Sequence, residues 1–378
     1  MGKGLTDMVF PVGNGDDRHV RPGVALNCRW GAKHVTRAAT GRMAQRSAAP
    51  RLHDRGMRTI GLASAFMRNS RFGTTLGVAA ILLGLCASTF AGGGGTEGPF
   101  ARLGPPEAPV KLYTVERGEG PPVLLIHGFG TNIFTWRHIT PDLARDHKVI
   151  AVDLKGFGQS DKPFDDRYSA ADQAELLVQL ILDRDLRDLT LVGHSYGGGV
   201  ALLLALEANT RLEGRIAKLV LLDTIAYPQS IPVFFKLLDM PVVSQLSVRM
   251  APPALQIQMA LRIAYYDDSK IGRDEIAAYA EPMKTAAGKH AIIYSARQIL
   301  PADAAQISAR YASISLPTLI LWCDHDRIVP LGVGLKLKRA MPNATFRLID
   351  ECGHMPQEEQ PEATLLQIRE FLGKSATK

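Results

Sequence analysis

A pentapeptide, Gly-His-Ser-Tyr-Gly at positions 193–197, constrains the fold of this chain more than any other feature. It follows a short apolar run, Leu189–Val192, and precedes a segment rich in alanine and leucine, Gly199–Ala208. A serine between two glycines at this spacing is typical of a nucleophile elbow, a tight turn from a buried strand into a helix. Glycine is needed on both sides because a Cβ atom there would strike the neighbouring backbone. The turn is predicted to lift the hydroxyl of Ser195 out of the sheet, at the positive end of the helix.

Charge is distributed unevenly along the chain, although the formal net charge is +7. Residues 1–96 contain 13 Lys or Arg and 4 acidic residues, a net charge of +9. Residues 97–378 contain 31 Lys or Arg and 33 acidic residues, a net charge of −2. The basic character therefore comes from the N-terminal quarter. The rest of the chain gives no electrostatic reason to expect a nucleic-acid partner.

The N-terminal quarter is not predicted to belong to the folded domain. Residues 1–56 are rich in Arg, Gly and Ala and show no sustained apolar period. Such a composition is typical of a disordered segment, because it offers little apolar surface to bury. We predict that this segment is disordered or an over-extended reading frame, with the natural start at Met57 or Met67.

Residues 57–96 have the pattern of a targeting segment. A basic flank precedes an uncharged stretch whose apolar centre is Leu76–Leu85 and which ends in small residues up to Ala91. This order is typical of a secretory signal peptide cut after Ala91, followed here by a glycine linker. An uncut membrane anchor over residues 72–91 is the alternative. The protein is thus predicted to be exported, to the periplasm or the medium, or to be held at a membrane.

From about residue 97 the pattern changes to apolar runs that alternate with helical segments. Seven runs are predicted as strands: Val110–Val115, Val123–His127, Lys148–Leu154, Leu189–Gly193, Lys218–Asp223, Pro317–Trp322 and Thr345–Asp350. Strands that alternate with helices predict an α/β fold, with a mostly parallel sheet of about eight strands flanked by helices. Residues 97–226 and 313–378 are predicted to form this sheet domain.

Between residues 227 and 312 the alternation stops. The segment contains helix-like stretches separated by prolines and no convincing strand, and it is too long for a loop. It predicts a helical cap inserted before the penultimate strand. Its large apolar and aromatic side chains are expected to form the core of the cap, with a few lining a substrate tunnel: Phe234, Phe235, Met240, Met250, Met259, Tyr265, Tyr266, Tyr279 and Met283.

Two residues near the C-terminus are the expected partners of Ser195. A serine hydroxyl becomes a good nucleophile only when a base takes its proton and an acid holds that base. Asp326 and His354 each follow a late predicted strand, in the chain order that a strand–elbow–helix fold requires. Asp324 and Asp223 are the competing acids. Asp326 is preferred because a rigid proline follows four residues later, and Asp324 is interpreted as a solvated loop carboxylate or a helix cap.

Catalysis also requires N–H donors for the oxyanion of a tetrahedral intermediate. The backbone N–H of Tyr196, directly after the nucleophile, is predicted to be one donor. The backbone N–H of Phe129, in the loop after an early strand, is predicted to be the other, with its ring bordering the acyl pocket. His127 is interpreted as a structural histidine of that loop. No Cys/His spacing suggests a zinc site, and the predicted chemistry requires no metal or cofactor.

Together these features resemble the α/β-hydrolase fold family, in its branch with a helical cap. The resemblance covers about Pro109 to Leu372 and rests on five motifs in the family's order: His-Gly-Phe-Gly at 127–130, Asp153-x-x-Gly-Phe-Gly-x-Ser160, the elbow, Trp322-x-x-x-Asp326-x-x-x-Pro330, and Cys-Gly-His at 352–354 with Pro356. It implies a serine hydrolase whose catalytic roles fall on Ser195, Asp326 and His354. The motifs are specific for the fold and say little about the substrate.

Departures from two branches of the family narrow the expected chemistry. Epoxide hydrolases and haloalkane dehalogenases of this fold carry Asp at the elbow, where this chain has Ser195. The segment after Asp326 is similar to hydrolases that cleave carbon–carbon bonds of ring-cleavage products. Those enzymes have a Ser-Gly-Pro-Gly type loop, a cap arginine and a tryptophan after the catalytic histidine. This chain has Phe-Gly-Thr-Asn at 129–132, Tyr279 and Met355 at those places.

The favoured prediction is therefore hydrolysis of a carboxylic ester of a small apolar substrate through an acyl-enzyme. Carbon–carbon bond hydrolysis of ring-cleavage products and acyl transfer to an alcohol or amine, on the same three residues, remain alternatives. A non-catalytic receptor of the same fold is less favoured because all three residues are present.

The four cysteines permit one structural hypothesis. Cys28 and Cys86 lie in the N-terminal quarter, and a lipoprotein cut before Cys86 is disfavoured by the large residue that precedes it. Cys323 and Cys352 lie at the carboxyl ends of two strands that are expected to be neighbours. Adjacent strands are roughly 4.8 Å apart, within the range that a disulfide spans. A disulfide and two buried free thiols both fit the sequence.

Overall fold

Eight strands form one sheet at the centre of the computed structural model, which describes residues 99–229, 240, 246 and 248–373. In chain order they are β1 Phe100–Leu103, β2 Val110–Arg117, β3 Pro122–Ile126, β4 Lys148–Val152, β5 Leu189–His194, β6 Ile216–Leu222, β7 Thr318–Cys323 and β8 Ala344–Ile349. Their spatial order is β1-β2-β4-β3-β5-β6-β7-β8. β2 pairs antiparallel with β1 and with β4, and the other pairings are parallel.

Helices cover both faces of the sheet. The described α-helices are α1 Thr140–Leu143, α2 Ala170–Asp183, α3 Tyr196–Leu206, α4 Pro253–Ala264, α5 Arg273–Ala280, α6 Ala286–Arg297, α7 Ala304–Ala309, α8 Leu331–Ala340, α9 Pro356–Glu359 and α10 Pro361–Leu372. Because both faces are covered, the central strands β3, β5 and β7 are buried at nearly every position rather than at alternate ones. In β3, Leu124 and Ile126 pack into one apolar layer, whereas Val123 and Leu125 pack into the opposite layer.

The fold class predicted from the sequence is confirmed: a mostly parallel eight-stranded sheet flanked by helices, with helices inserted before the penultimate strand. Each of the seven predicted strands is present, with ends shifted by a few residues. The eighth, β1, was not predicted. It has only four residues, with side chains that alternate between exposed and buried, and it pairs only with β2 at the edge of the sheet. A pattern this short has too few apolar positions to stand out from a loop.

A buried carboxylate connects the inserted helices to the sheet domain. Glu358 Oε1 accepts hydrogen bonds from the hydroxyls of Thr135 and Tyr279, each at 2.7 Å. Its Oε2 accepts from the guanidinium of Arg137 at 2.6 Å and from the hydroxyl of Tyr265 at 3.1 Å. Thr135 and Arg137 belong to the sheet domain, whereas the two tyrosines belong to the segment between β6 and β7. The Glu358 carboxylate therefore accepts hydrogen bonds from both the sheet domain and the inserted segment, and these bonds fix the position of the inserted helices on the sheet.

The predicted N-terminal extension, the signal peptide or anchor, and the glycine linker all lie outside the described residues. Within the described part of the chain, no helix combines the length and the apolar character that crossing a bilayer would require.

Candidate active site

The turn between β5 and α3 has the geometry of a nucleophile elbow. Ser195 stands at φ +52° and ψ −116°, a conformation that residues with a side chain rarely adopt. A Cβ atom on Gly193 would lie 2.6 Å from the carbonyl oxygen of Gly197. A Cβ atom on Gly197 would lie 2.3 Å from the carbonyl oxygen of Ile126 in β3. Both glycines are therefore required by close backbone approach, as the sequence pattern indicates, and the packed strands hold the serine in its strained conformation.

The structure brings the three predicted catalytic side chains into one line of hydrogen bonds. Ser195 Oγ lies 2.9 Å from His354 Nε2, and His354 Nδ1 lies 2.8 Å from Asp326 Oδ2. The other carboxylate oxygen of Asp326 accepts the backbone N–H groups of Ile328 and Val329, at 2.7 and 2.9 Å. An ionised carboxylate facing Nδ1 keeps the proton on that nitrogen. Nε2 is then free to accept the serine proton.

A second carboxylate, Glu359, holds the loop that carries the histidine. Its Oε1 accepts the backbone N–H groups of Gly353, His354 and Met355 at 3.0–3.2 Å, and its Oε2 accepts the N–H of Tyr266 at 2.7 Å. Burial raises the pKa of Glu359, and the hydrogen bonds from backbone N–H groups oppose that rise. Glu359 was not among the site residues expected from the sequence. The sequence feature that could have identified it is an acidic side chain in the first turn of a short helix, five residues after His354.

The loops that carry the acid and the base are also joined to each other. Asp324 accepts the backbone N–H groups of Glu351 and Cys352, at 3.2 and 3.1 Å. It is therefore a cross-link between the two loops, rather than the solvated carboxylate or helix cap of the sequence interpretation. A disulfide joins Cys323 to Cys352, with Cα atoms 4.8 Å apart and a sequence separation of 29. In the chain-entropy account, closing a loop of this size contributes about 3–4 kcal/mol to the free energy of unfolding.

Two buried histidines support the site from behind. His127 Nδ1 donates to the carbonyl of Gly128 at 2.7 Å, and its Nε2 accepts the backbone N–H of Leu154 at 3.0 Å. Both nitrogens are thus used in the scaffold, which fits the structural role expected for this residue. His194 Nε2 donates to the backbone carbonyl of His354 at 2.7 Å. Burial lowers the pKa of His127 and lowers that of His194 further, so both rings stay neutral at physiological pH.

The two predicted oxyanion donors lie next to the nucleophile. Tyr196 is the first residue of α3, and the first N–H groups of a helix have no partner within the helix. Phe129 lies in the loop after β3 and is one of the residues that line the cavity containing Ser195. The positions of these residues fit the expected arrangement. Their roles as N–H donors remain a prediction.

An apolar cavity of about 160 Å³ lies between Ser195 and the inserted helices. Its floor includes Ser195, His194 and His354, and its roof includes residues of α4 and α6. None of the described side chains that line it belongs to Lys, Arg, Asp or Glu. Its volume is below the roughly 300–1,000 Å³ typical of sites for drug-sized molecules. The cavity therefore suits a small, uncharged ligand.

Asp223, the competing acid, lies behind Asp326 and is fully buried. Its Oδ1 accepts the backbone N–H of Cys323 at 2.9 Å. Burial, followed by the charge of Asp326, raises the pKa of Asp223 well above its ordinary value. Among the described residues, Asp223, Asp326 and His354 form the one group whose ligand atoms, all within 4.8 Å of one another, could hold a metal ion. Both nitrogens of His354 already face Asp326 and Ser195, so its ring could bind a metal ion only by giving up one of these hydrogen bonds.

Replacing Asp223 with asparagine is expected to stabilise the protein at about pH 8 and to have little effect at about pH 4. Above its ordinary pKa of 3.8 the aspartate ionises in the unfolded chain, whereas the folded protein retains the proton. The free energy of unfolding of the wild type therefore falls as the pH rises from the ordinary pKa to the raised pKa, and above the raised pKa it no longer changes through this group. Asparagine still accepts the N–H of Cys323 but does not titrate. Urea unfolding of both proteins at the two pH values measures the effect, and a pH-independent difference would contradict it.

Comparison with known proteins agrees with this geometry. A family model described as alpha/beta hydrolase fold matches residues 121–361. A 2-hydroxy-6-oxo-6-phenylhexa-2,4-dienoate hydrolase of Burkholderia cepacia is 30% identical over 260 residues, which cover 67% of this chain and 88% of that protein. A 2-hydroxymuconate semialdehyde hydrolase of a Pseudomonas species is 27% identical over 277 residues, which cover 71% of this chain and 92% of that protein.

Among solved structures, a thermophilic esterase from Thermogutta terrifontis has a TM-score of 0.60 and 26% sequence identity. The match covers 73% of this chain and 98% of the esterase. The similar proteins thus include both enzymes named for dienoate or semialdehyde substrates and an enzyme named as an esterase.

Proposed function

The chain belongs to the alpha/beta hydrolase fold family, and on that premise we propose that it hydrolyses carboxylic esters of small apolar substrates. Membership of the family implies a hydrolase. The observation that carries the proposal is the line of hydrogen bonds from Ser195 through His354 to Asp326, with distances of 2.9 and 2.8 Å, at the floor of an uncharged cavity. This arrangement activates a serine oxygen where an apolar substrate can reach it.

The proposed reaction is acyl transfer to water in two halves. His354 takes the proton of Ser195 as Oγ attacks the ester carbonyl, and the backbone N–H groups of Phe129 and Tyr196 stabilise the oxyanion. His354 then gives that proton to the departing alcohol, which leaves an acyl-enzyme. Water attacks the acyl carbon in the second half, with His354 again as base and then as acid. Asp326 stays ionised throughout and stabilises the imidazolium.

The chemistry of the cavity favours an ester over a dienoate. The substrate in the name of the Burkholderia relative is a carboxylate. A carboxylate in a cavity lined by no described cationic side chain would lose its hydration without gaining a partner, which is costly. Tyr279 reaches the wall, but its hydroxyl donates to Glu358 and so is already committed. A neutral ester carries no charge whose hydration would be lost in this cavity.

Carbon–carbon bond hydrolysis remains the second candidate, because a relative at 30% identity is named for a dienoate substrate. Parallel assays with p-nitrophenyl butyrate and with 2-hydroxy-6-oxo-6-phenylhexa-2,4-dienoate separate the two functions. We expect kcat/KM for the ester to exceed that for the dienoate by at least about 100-fold, a difference of nearly 3 kcal/mol in transition-state binding. A higher kcat/KM for the dienoate would reverse the assignment. A Ser195→Ala control shows that the measured turnover belongs to this site.

We also propose that the protein acts outside the cytoplasm. The signal-like pattern of residues 57–96 supports this, and so does the disulfide between Cys323 and Cys352, since such bonds persist mainly in oxidising compartments. N-terminal sequencing of the native protein tests the proposal. A sequence that starts after Ala91 is expected for a cleaved signal peptide, and an intact Met1 would contradict both the cleavage and the predicted start site.

A further inference from the structure

A second apolar cavity adjoins the cavity of Ser195. It has a volume of about 30 Å³ and lies between α3, the loop after β6 and the last part of the inserted segment. Its wall includes Gly199 and Leu203 of α3, together with Tyr227 and Tyr311. We refer to it as the side cavity and to the larger one as the reaction cavity. A volume of roughly 10–15 Å³ holds one water-sized group, so the side cavity by itself is small, and truncation of a neighbouring isoleucine to alanine would add the space of three carbon atoms to it.

Two isoleucines belong to the walls of both cavities. Ile225 follows β6 and Ile299 follows α6, and each contributes to the lining of the reaction cavity and of the side cavity. Both side chains are buried, with 9% and 3% of their surface exposed. The backbone N–H of Ile225 donates to the carbonyl of Ser195 at 3.2 Å, which fixes this part of the wall relative to the nucleophile. The isoleucines form a partition between the two spaces.

The side cavity is suited to an aliphatic group. The hydroxyl of Tyr311 donates to the carbonyl of Ala226 at 2.8 Å, and that of Tyr196 donates to the carbonyl of Tyr168 at 3.0 Å. These two tyrosines therefore contribute mainly their rings to the wall. Tyr227, the third tyrosine of the wall, has a buried hydroxyl without a hydrogen-bond partner, whereas most of the remaining wall is aliphatic and suits apolar groups.

We propose that Ile225 and Ile299 limit the length of the acyl chain that the enzyme accepts, because they close off the side cavity that a longer chain would otherwise enter. The inference rests on the proposed ester hydrolysis. The acyl group is assigned to this space because it stays attached to Ser195 after the alcohol has departed, so that it can occupy a closed pocket. The alcohol, in contrast, must leave the site. Chain length is thus decided at the partition between the two cavities.

The test compares Ile225→Ala and Ile299→Ala with the wild type on p-nitrophenyl esters from acetate to decanoate. Each additional buried methylene raises kcat/KM by about fourfold. We expect the longest well-accepted acyl chain to increase by two or three carbons in both variants. The ratio of kcat/KM for long to short chains should rise on the order of 10- to 50-fold.

Ile293→Ala is the matched control. Ile293 is a buried isoleucine of α6 that lines neither of the two cavities. This variant removes the same three carbon atoms from the core without opening the partition, so that its chain-length profile should stay close to that of the wild type. Ile299→Val removes a single methyl group and serves as the mild variant in case an alanine variant folds poorly. We expect the longest acyl chain that it accepts well to increase by about one carbon. Profiles of the partition variants that match the profile of Ile293→Ala would overturn the proposal.

Alkylboronic acids with chains of two to eight carbons provide a readout that does not depend on ester turnover. Ser195 Oγ forms a bond to boron, its proton moves to His354, and the alkyl chain takes the place of the acyl chain. Calorimetric Kd values for the longer chains should decrease in the partition variants and not in Ile293→Ala. If esters are turned over but neither series shifts, the inference fails while the proposed function stands. If no ester is turned over but the boronic acid series shifts, the proposed function fails while the partition stands.

Discussion

Replacing Ser195 with alanine is expected to lower kcat for a short-chain aryl ester by on the order of 10⁴- to 10⁶-fold. The nucleophilic oxygen is lost, and any remaining turnover would have to come from substrate binding and the oxyanion donors alone. The fold should not change, because alanine retains a Cβ atom and therefore meets the same backbone strain at φ +52° as serine does. Steady-state kinetics with p-nitrophenyl butyrate measure the effect.

The control for this variant is a serine elsewhere in the chain. Ser308 lies on α7 at the surface, is partly exposed, and donates to the carbonyl of Ala305 at 3.1 Å. Ser308→Ala should retain activity within about twofold of the wild type, since surface substitutions rarely matter. Thermal unfolding of both variants checks that the folded state persists. If a folded Ser195→Ala protein turned over the ester within tenfold of the wild-type rate, the assignment of Ser195 as the nucleophile would be wrong.

Replacing Asp326 with asparagine is expected to lower kcat by about 10³- to 10⁴-fold. One oxygen of Asp326 accepts the backbone N–H groups of Ile328 and Val329, so the amide oxygen of asparagine takes that position. The amide NH₂ then faces His354 Nδ1 and donates to it. The proton of the imidazole is thereby forced onto Nε2, which can no longer accept the proton of Ser195. The loss should appear in kcat more than in KM, because the substrate cavity is unchanged.

Asp324→Asn is the matched control for the acid. It also removes a carboxylate two residues away, but Asp324 accepts backbone N–H groups and does not face the imidazole. We expect a loss of less than about tenfold in kcat, together with a lower thermal stability. Equal losses for the two variants, or a larger loss for Asp324→Asn, would contradict the assignment of Asp326.

The sheet and the catalytic line could be predicted from the sequence because their physical requirements are local. Buried parallel strands need continuous apolar runs, and the elbow at Ser195 needs glycine on both sides, so both leave a readable pattern. The order of Asp326 and His354 follows once the strands are counted. The first strand, Phe100–Leu103, left no such pattern because an edge strand of four residues needs little apolar surface.

The supporting carboxylates could not be predicted because their partners are distant in the chain. Glu358 gathers donors from residues as far as 223 positions away, and nothing near it in the sequence indicates them. Asp223 could be recognised as a possible acid, but its raised pKa depends on burial beside Asp326, which only the fold creates. The state of Cys323 and Cys352 was likewise open, because proximity permits a disulfide without requiring one.

The substrate side of the site was the least predictable part, since helices of a cap place apolar residues in several environments. Tyr279 and Met283 line the reaction cavity, as was expected of a few residues in that set. Met250 and Met259 belong to the same set, but 74% and 59% of their surface is exposed. All four have side chains that suit a core, so composition does not distinguish the cavity wall from the solvent face.

Covalent labelling tests the central claim, an activated nucleophile at Ser195, most directly. The wild-type protein is incubated with a fluorophosphonate, and the intact mass and the modified peptide are determined by mass spectrometry. We expect one adduct per chain, located on Ser195, and no adduct in the Ser195→Ala variant. A wild-type protein that stays unlabelled, or equal labelling of the Ser195→Ala variant, would contradict it.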